Sequence, residues 1–93
     1  AGMILSNEPG YYQPGEFGVR QENLVHVIAV SDDFLGFENL TFVPFDKRLI
    51  DTSLLSKIQL DALNSYHKEV LEKISPHLPQ ALQDWLEHKC EAL

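Results

Sequence analysis

The sequence changes character at about residues 50–52, and this change limits the fold more than any other feature. Before it, short apolar runs are separated by Pro-Gly pairs and Asp residues, a pattern typical of strands and turns. After it, Ile58, Leu63, Tyr66 and Val70 recur at the spacing of one helical face. Strands that come first and helices that follow indicate the α+β class.

The first half predicts three strands. Met3–Asn7 is the first, and Val19–Ser31 is a long strand whose later part is nearly all apolar, so we expect both of its faces to be covered. Phe34–Asn39 is predicted to be a loop. Leu40–Val43 alternates and stops at Pro44, which predicts a short or edge strand.

Two glutamates flank a turn-rich segment over residues 9–18. Pro9-Gly10 and Pro14-Gly15 suit the central positions of type II turns, so this segment is predicted to join an antiparallel pair of strands. Glu8 precedes the segment and Glu22 follows it. Neighbouring antiparallel strands would allow both carboxylates to project into the same space.

The second half predicts two helices. Ser56–Gln59 matches a capping box, and the helix that it begins is expected to close at Pro76 and Pro79. The apolar stripe of this helix is predicted to contain Ile58, Ala62, Leu63, Tyr66, Val70 and Ile74. A second, short amphipathic helix is predicted from Leu82, Trp85, Leu86 and Leu93.

Charge and composition exclude several classes of partner. The net charge is −7 over 93 residues and the sequence has no basic patch, which argues against nucleic acid and against an anionic membrane surface. Cys90 is the only cysteine, so an internal disulfide cannot form. No apolar run approaches the ~20 residues that a membrane-spanning helix needs.

Glu8, Arg20 and Glu22 are the candidate functional residues. Arg20 and Glu22 are two residues apart and therefore share one face of a strand, where an arginine can orient a carboxylate. Paired carboxylates are suitable ligands for divalent metals. From spacing alone, an exposed ion pair remains the simpler explanation.

The segment around these residues resembles a known metal site. Gly2–Tyr12 (GMILSNEPGYY) and Gly15–Asn23 (GEFGVRQEN) resemble the final metal-binding stretch of aminopeptidase P, a member of the pita-bread metallopeptidases. Residues 40–45 and 49–51 are similar to the segment after its catalytic strands. Residues 63–67 and 82–86 resemble the C-terminal helical extension of its longer forms.

The resemblance implies an architecture and a ligand set. The expected fold is part of a pita-bread domain, with antiparallel strands over about 1–45, and the expected domains are the catalytic strands at 1–50 and the helical extension at 51–93. Two divalent ions, commonly manganese, are held in this family by two aspartates, one histidine and two glutamates. Glu8 would bind one ion and act in catalysis, Glu22 would bridge both, and Arg20 would hold Glu22.

The resemblance also implies an activity. The parent enzyme would be a cytoplasmic hydrolase that removes the N-terminal residue of a peptide whose second residue is proline. Because the chain starts at Ala1 and the other ligands have no counterpart in it, we expect an inactive fragment without stably bound metal, which dimerises or is partly disordered. A metal-free pita-bread pseudoenzyme and a stand-alone acidic interaction module are the alternatives.

The histidines and the cysteine are predicted to have structural roles, not roles in catalysis or metal binding. His26 is predicted to be a core or interface residue, and His67 a structural residue of the main helix. His88, Cys90 and Glu91 lie close together near the end of the chain, but their spacing matches no standard zinc signature, and Cys90 is expected to be an inert thiol.

Overall fold

The computed structural model describes all 93 residues, which form two compact units, Ala1–Thr41 and Phe42–Leu93. The first unit contains all of the β-strands and the second unit contains all of the helices. The predicted α+β class is therefore confirmed.

Five antiparallel strands form two sheets in the first unit. The larger sheet has the order β1-β4-β5 with β4 in the centre, and β2 and β3 form a separate hairpin. The strands are β1 (Ile4–Asn7), β2 (Gly10–Gln13), β3 (Phe17–Arg20), β4 (Asn23–Ala29) and β5 (Leu35–Asn39).

The turn prediction is confirmed at one of its two sites. At Pro14-Gly15, the Glu16 amide donates to the Gln13 carbonyl at 3.1 Å, and Gly15 has φ +76°, as the third position of a type II turn requires. At Pro9-Gly10 the prediction is wrong. Gly10 has no positive φ and begins β2, so the predicted loop over 9–18 is mostly the β2-β3 hairpin.

Two strand predictions are wrong. The run Val19–Ser31 is not one strand, because it is interrupted at residues 21 and 22 where the chain passes from the hairpin into the larger sheet. Leu40–Val43 is not a strand, and Leu35–Asn39, predicted to be a loop, pairs along β4 in its place. Gly, Glu and Asn in β5 have low strand propensity, so cross-strand pairing with β4 overrides the local preference.

The larger sheet has little buried surface. Val25 and Val27 of β4 are 8% exposed and are the only buried apolar side chains of this unit. The expectation that both faces of β4 are covered is wrong, because Leu24 is almost half exposed and burial alternates along the strand. The unit contains no helix that could cover a face of the sheet.

Local signals set the helices of the second unit. Helix α1 (Lys57–Ile74) begins with the predicted capping box, in which the Gln59 amide donates to Ser56 Oγ at 3.2 Å and the Ser56 amide donates to Gln59 Oε1 at 2.9 Å. It ends in a 3-10 turn at Ser75–His77 that contains Pro76. Helix α2 (Gln80–Lys89) starts after Pro79. Neither helix meets the length and apolarity needed to cross a bilayer.

The core of the second unit lies between the two helices and the segment that precedes them. The predicted stripe is correct for its later members but wrong for Ile58, which is 82% exposed, and for Ala62, which is also exposed. The packed residues contact α1 only from its middle onward, so its first turn remains open. The core residues are Tyr66, Val70, Leu86 and Cys90, with Phe42, Phe45, Leu71, Ile74 and Leu78 packed against them.

Candidate metal centre

The two ladders of the first unit meet at a junction. The last pair of the β1-β4 ladder is Asn7 with Asn23. Pairing resumes where the Gln21 amide donates to the Pro9 carbonyl at 3.1 Å, and it continues into the β2-β3 hairpin. The offset between partners is the same in both ladders, so the hairpin continues the register of the sheet.

This register places Glu8 opposite Glu22. Side chains at directly opposite positions of an antiparallel pair have Cβ atoms about 4.5–5.5 Å apart. The two candidate glutamates therefore occupy opposite backbone positions, although they are separated in sequence by the whole hairpin.

Arg20 is placed to orient one of the two carboxylates. Its Nε lies 3.7 Å from Glu22 Oε2, and both side chains are about half exposed. Such a contact contributes less than about 1 kcal/mol to stability in water. It nevertheless places a positive charge beside the Glu22 carboxylate.

The two glutamates fit part of a metal site. The structure contains no group of three or more His, Cys, Asp or Glu side chains that could hold an ion. Each carboxylate offers two oxygens, whereas each hard divalent ion takes about six ligands. A dinuclear centre built on these residues would therefore need several further ligands.

Tyr12 is a neighbour of this site that the motif of Glu8, Arg20 and Glu22 does not include. Its ring lies over two glycines of the hairpin. A Cβ at Gly10 would come within 2.6 Å of Tyr12 Oη, and one at Gly18 within 2.8 Å of Tyr12 Cδ1. Gly10 pairs with Arg20, so the hydroxyl end of Tyr12 lies beside the position of the arginine that contacts Glu22. The available signal was Gly10, two residues before Tyr12, because residues two apart on a strand share a face and a glycine leaves room there for a ring.

Other titratable residues do not join this site. His26 Nε2 lies 3.5 Å from Glu38 Oε2, across the β4-β5 pair. His88 Nδ1 lies 3.4 Å from Glu91 Oε2 at the end of α2. Burial raises the pKa of the Cys90 thiol, which keeps it protonated and is consistent with an inert core cysteine.

Residues 33–93 match a protein family described as the C-terminal region of peptidase M24. The chain belongs to this family. The chain is 50% identical to aminopeptidase P2 of Arabidopsis thaliana over 91% of its length, which is 13% of that relative. It is 46% identical to Xaa-Pro aminopeptidase 2 of Rattus norvegicus over 99% of its length, which is 15% of that relative.

A solved structure shows the same fold for nearly all of the chain. The crystal structure of X-prolyl aminopeptidase from Caenorhabditis elegans, described as a cytosolic enzyme with a di-nuclear active site, matches 97% of the chain with a TM-score of 0.84 and 33% identity. The chain spans 16% of that protein. The predicted partial pita-bread fold, antiparallel strands followed by helices, is thereby confirmed.

Proposed function

We propose that this chain supplies two glutamate ligands to the dinuclear metal centre of an Xaa-Pro aminopeptidase. The observation that supports this most directly is the shared register, which sets Glu8 opposite Glu22. The similarity to Xaa-Pro aminopeptidases from a plant and an animal supports the choice of reaction. The chain spans between 13% and 16% of these relatives, so the activity belongs to the longer protein.

Each candidate residue has a distinct role in this proposal. Glu8 would bind one ion and serve as the proton acceptor, Glu22 would be the ligand shared by both ions, and Arg20 would hold the carboxylate of Glu22, which its Nε approaches to 3.7 Å. Two bound divalent ions, which we propose to be manganese, would supply water activation and carbonyl polarisation. Two of five ligands cannot retain such ions, so the chain by itself would be inactive and would bind no metal stably.

The wider setting follows from the same relatives. The substrate would be a peptide with proline in second place, and the compartment would be the cytoplasm, because the nematode relative is described as cytosolic. Residues 1–50 would complete the catalytic domain, and residues 51–93 would form its helical extension. A homodimer of the parent would be compatible with this arrangement.

Metal content of the full-length protein tests the ligand roles. We expect Glu22→Gln to lose both ions after dialysis and Glu8→Gln to lose one, as measured by plasma mass spectrometry. Both variants should lose hydrolysis of an Xaa-Pro peptide by a factor of ~10³ or more, since each removes a ligand or an acid–base group of the centre. Glu16→Gln, in the exposed turn of the same hairpin, is the matched control and should change neither quantity.

Three results would contradict the proposal or favour an alternative. Retention of both ions by Glu22→Gln would exclude its bridging role. A wild-type protein that folds but binds no manganese would favour a metal-free pseudoenzyme. A gene without the two aspartates or the histidine upstream of Ala1 would favour the same pseudoenzyme, whereas a transcript that begins at this segment would favour a stand-alone interaction module.

A further inference from the structure

The segment that opens the second unit is held on α1 by side chains rather than by a backbone ladder. We refer to residues 42–46 as the strap. Tyr66 Oη donates to the Val43 carbonyl at 2.7 Å and accepts from the Val43 amide at 3.3 Å. A single phenol therefore satisfies both backbone groups of one strap residue.

His67 holds the strap two residues further on. The Phe45 amide donates to His67 Nε2 at 3.0 Å, and His67 has no exposed surface. A ring nitrogen that accepts a hydrogen bond has no proton, so this imidazole is neutral and bears its proton on Nδ1. An imidazolium has no acceptor and would direct an N–H toward the N–H of Phe45.

We propose that His67 is an acid-sensitive latch, which holds the strap on α1 while it is neutral and releases the strap when it takes up a proton. Release would also disturb Phe42 and Phe45, which pack on the core. Protonation of one side chain, His67, would therefore expose the face of the second unit that the strap covers.

The surroundings of His67 provide nothing that would stabilise a positive charge. Burial and the Lys47 ammonium lower the pKa of His67. Its ring contacts are the uncharged rings of Phe45 and Tyr66, at 6.2 Å and 5.8 Å between centroids. Nδ1 is buried and has no hydrogen-bond partner. The other titratable side chains of this core are Tyr66 and Cys90, and burial raises the pKa of the Cys90 thiol.

The direction of the pH dependence follows from these contacts. The pKa of His67 is lowered in the folded chain from an ordinary value of 6.5, so the open form binds more protons than the closed form as pH falls. The latch is at full strength above pH 6.5. It weakens below that value and continues to weaken until the pH reaches the pKa of the closed form.

Amide exchange of the whole 93-residue chain, followed by NMR between about pH 7.5 and 5, tests the latch. We expect the protection factor of the Phe45 amide to fall by up to about tenfold for each pH unit below 6.5, because one proton is taken up on opening. His67→Gln keeps an acceptor of similar reach but cannot titrate, so its Phe45 protection should not change with pH. His77→Gln alters an exposed histidine and should preserve the wild-type fall.

Two outcomes would overturn the proposal. The first is a Phe45 protection factor that does not change with pH in the wild type, or one that falls with pH equally in the wild type and in His67→Gln. The second is a measurement on the wild type alone, the chemical shifts of the two ring nitrogens of His67 at neutral pH. We expect these shifts to show the Nδ1–H tautomer. Shifts of an imidazolium or of the Nε2–H tautomer would exclude the latch, even if the glutamine variant does not fold.

Discussion

Val70 is the most fully enclosed apolar side chain of the protein. It has no exposed surface and packs with Tyr66, Leu86 and Cys90 between the two helices. We expect Val70→Ala to lower the free energy of unfolding by about 2 kcal/mol, because two methyl groups lose their burial and a small cavity remains. Urea unfolding followed by helical circular dichroism measures this loss.

Val43 gives the control for this prediction. The same substitution removes the same atoms from a side chain that is 62% exposed, and the bonds to Tyr66 involve only the backbone of Val43. We expect Val43→Ala to change stability by less than about 0.5 kcal/mol. Equal effects at both positions would show that the α1-α2 core does not determine stability.

Helix α1 depends on its first turn because that turn has little tertiary support. Ile58 and Ala62 are exposed, and the Ser56–Gln59 capping box provides hydrogen bonds for the free backbone amides. We expect Ser56→Ala to reduce the free energy of unfolding by about 1 kcal/mol. Urea titration with the helical signal as the readout measures the change.

Ser65→Ala is the matched control within the same helix. Ser65 is exposed in the interior of α1, where alanine has the higher helix propensity, so stability should stay constant or rise by a few tenths of a kcal/mol. A loss of similar size at both serines would mean that capping is not what Ser56 contributes.

At the scale of the whole molecule, the two units differ in what they bury. The strand unit buries only Val25 and Val27, whereas the helical unit has a continuous core. We expect amides in β4 and β5 to exchange faster than amides near Val70 in α1, because local stability follows buried apolar contact. Hydrogen–deuterium exchange with mass spectrometry compares the two units in one sample.

The same experiment on the full-length protein is the control. In the longer protein the strand amides should gain protection from exchange, while the protection of the α1 amides should change little. In the isolated chain, the exposed strand edges and faces favour self-association, and light scattering would detect the predicted dimers. Equal protection of both units in the isolated chain, together with a monomeric mass, would contradict this prediction.

Some features of this protein are determined by residues close together in sequence. Three such features occur where the sequence predicts them, and each involves residues no more than four apart. They are the capping box of α1, the end of α1 at Pro76, and the turn at Pro14-Gly15. Residue type and motif also single out Glu8, Arg20 and Glu22, whose role as a metal site stays a prediction. Local hydrogen bonds and restricted backbone angles need no information from the rest of the chain.

Other features were decided only by the tertiary structure. Local sequence does not reveal that β5 lies at 35–39, or that β3 and β4 are separate strands with an interruption at residues 21 and 22. It also does not reveal that His67 is buried beneath the strap. Likewise, only the common register of two ladders places Glu8 opposite Glu22. In each case the deciding partner is distant in sequence, and strand pairing and burial are energies of contact with that partner.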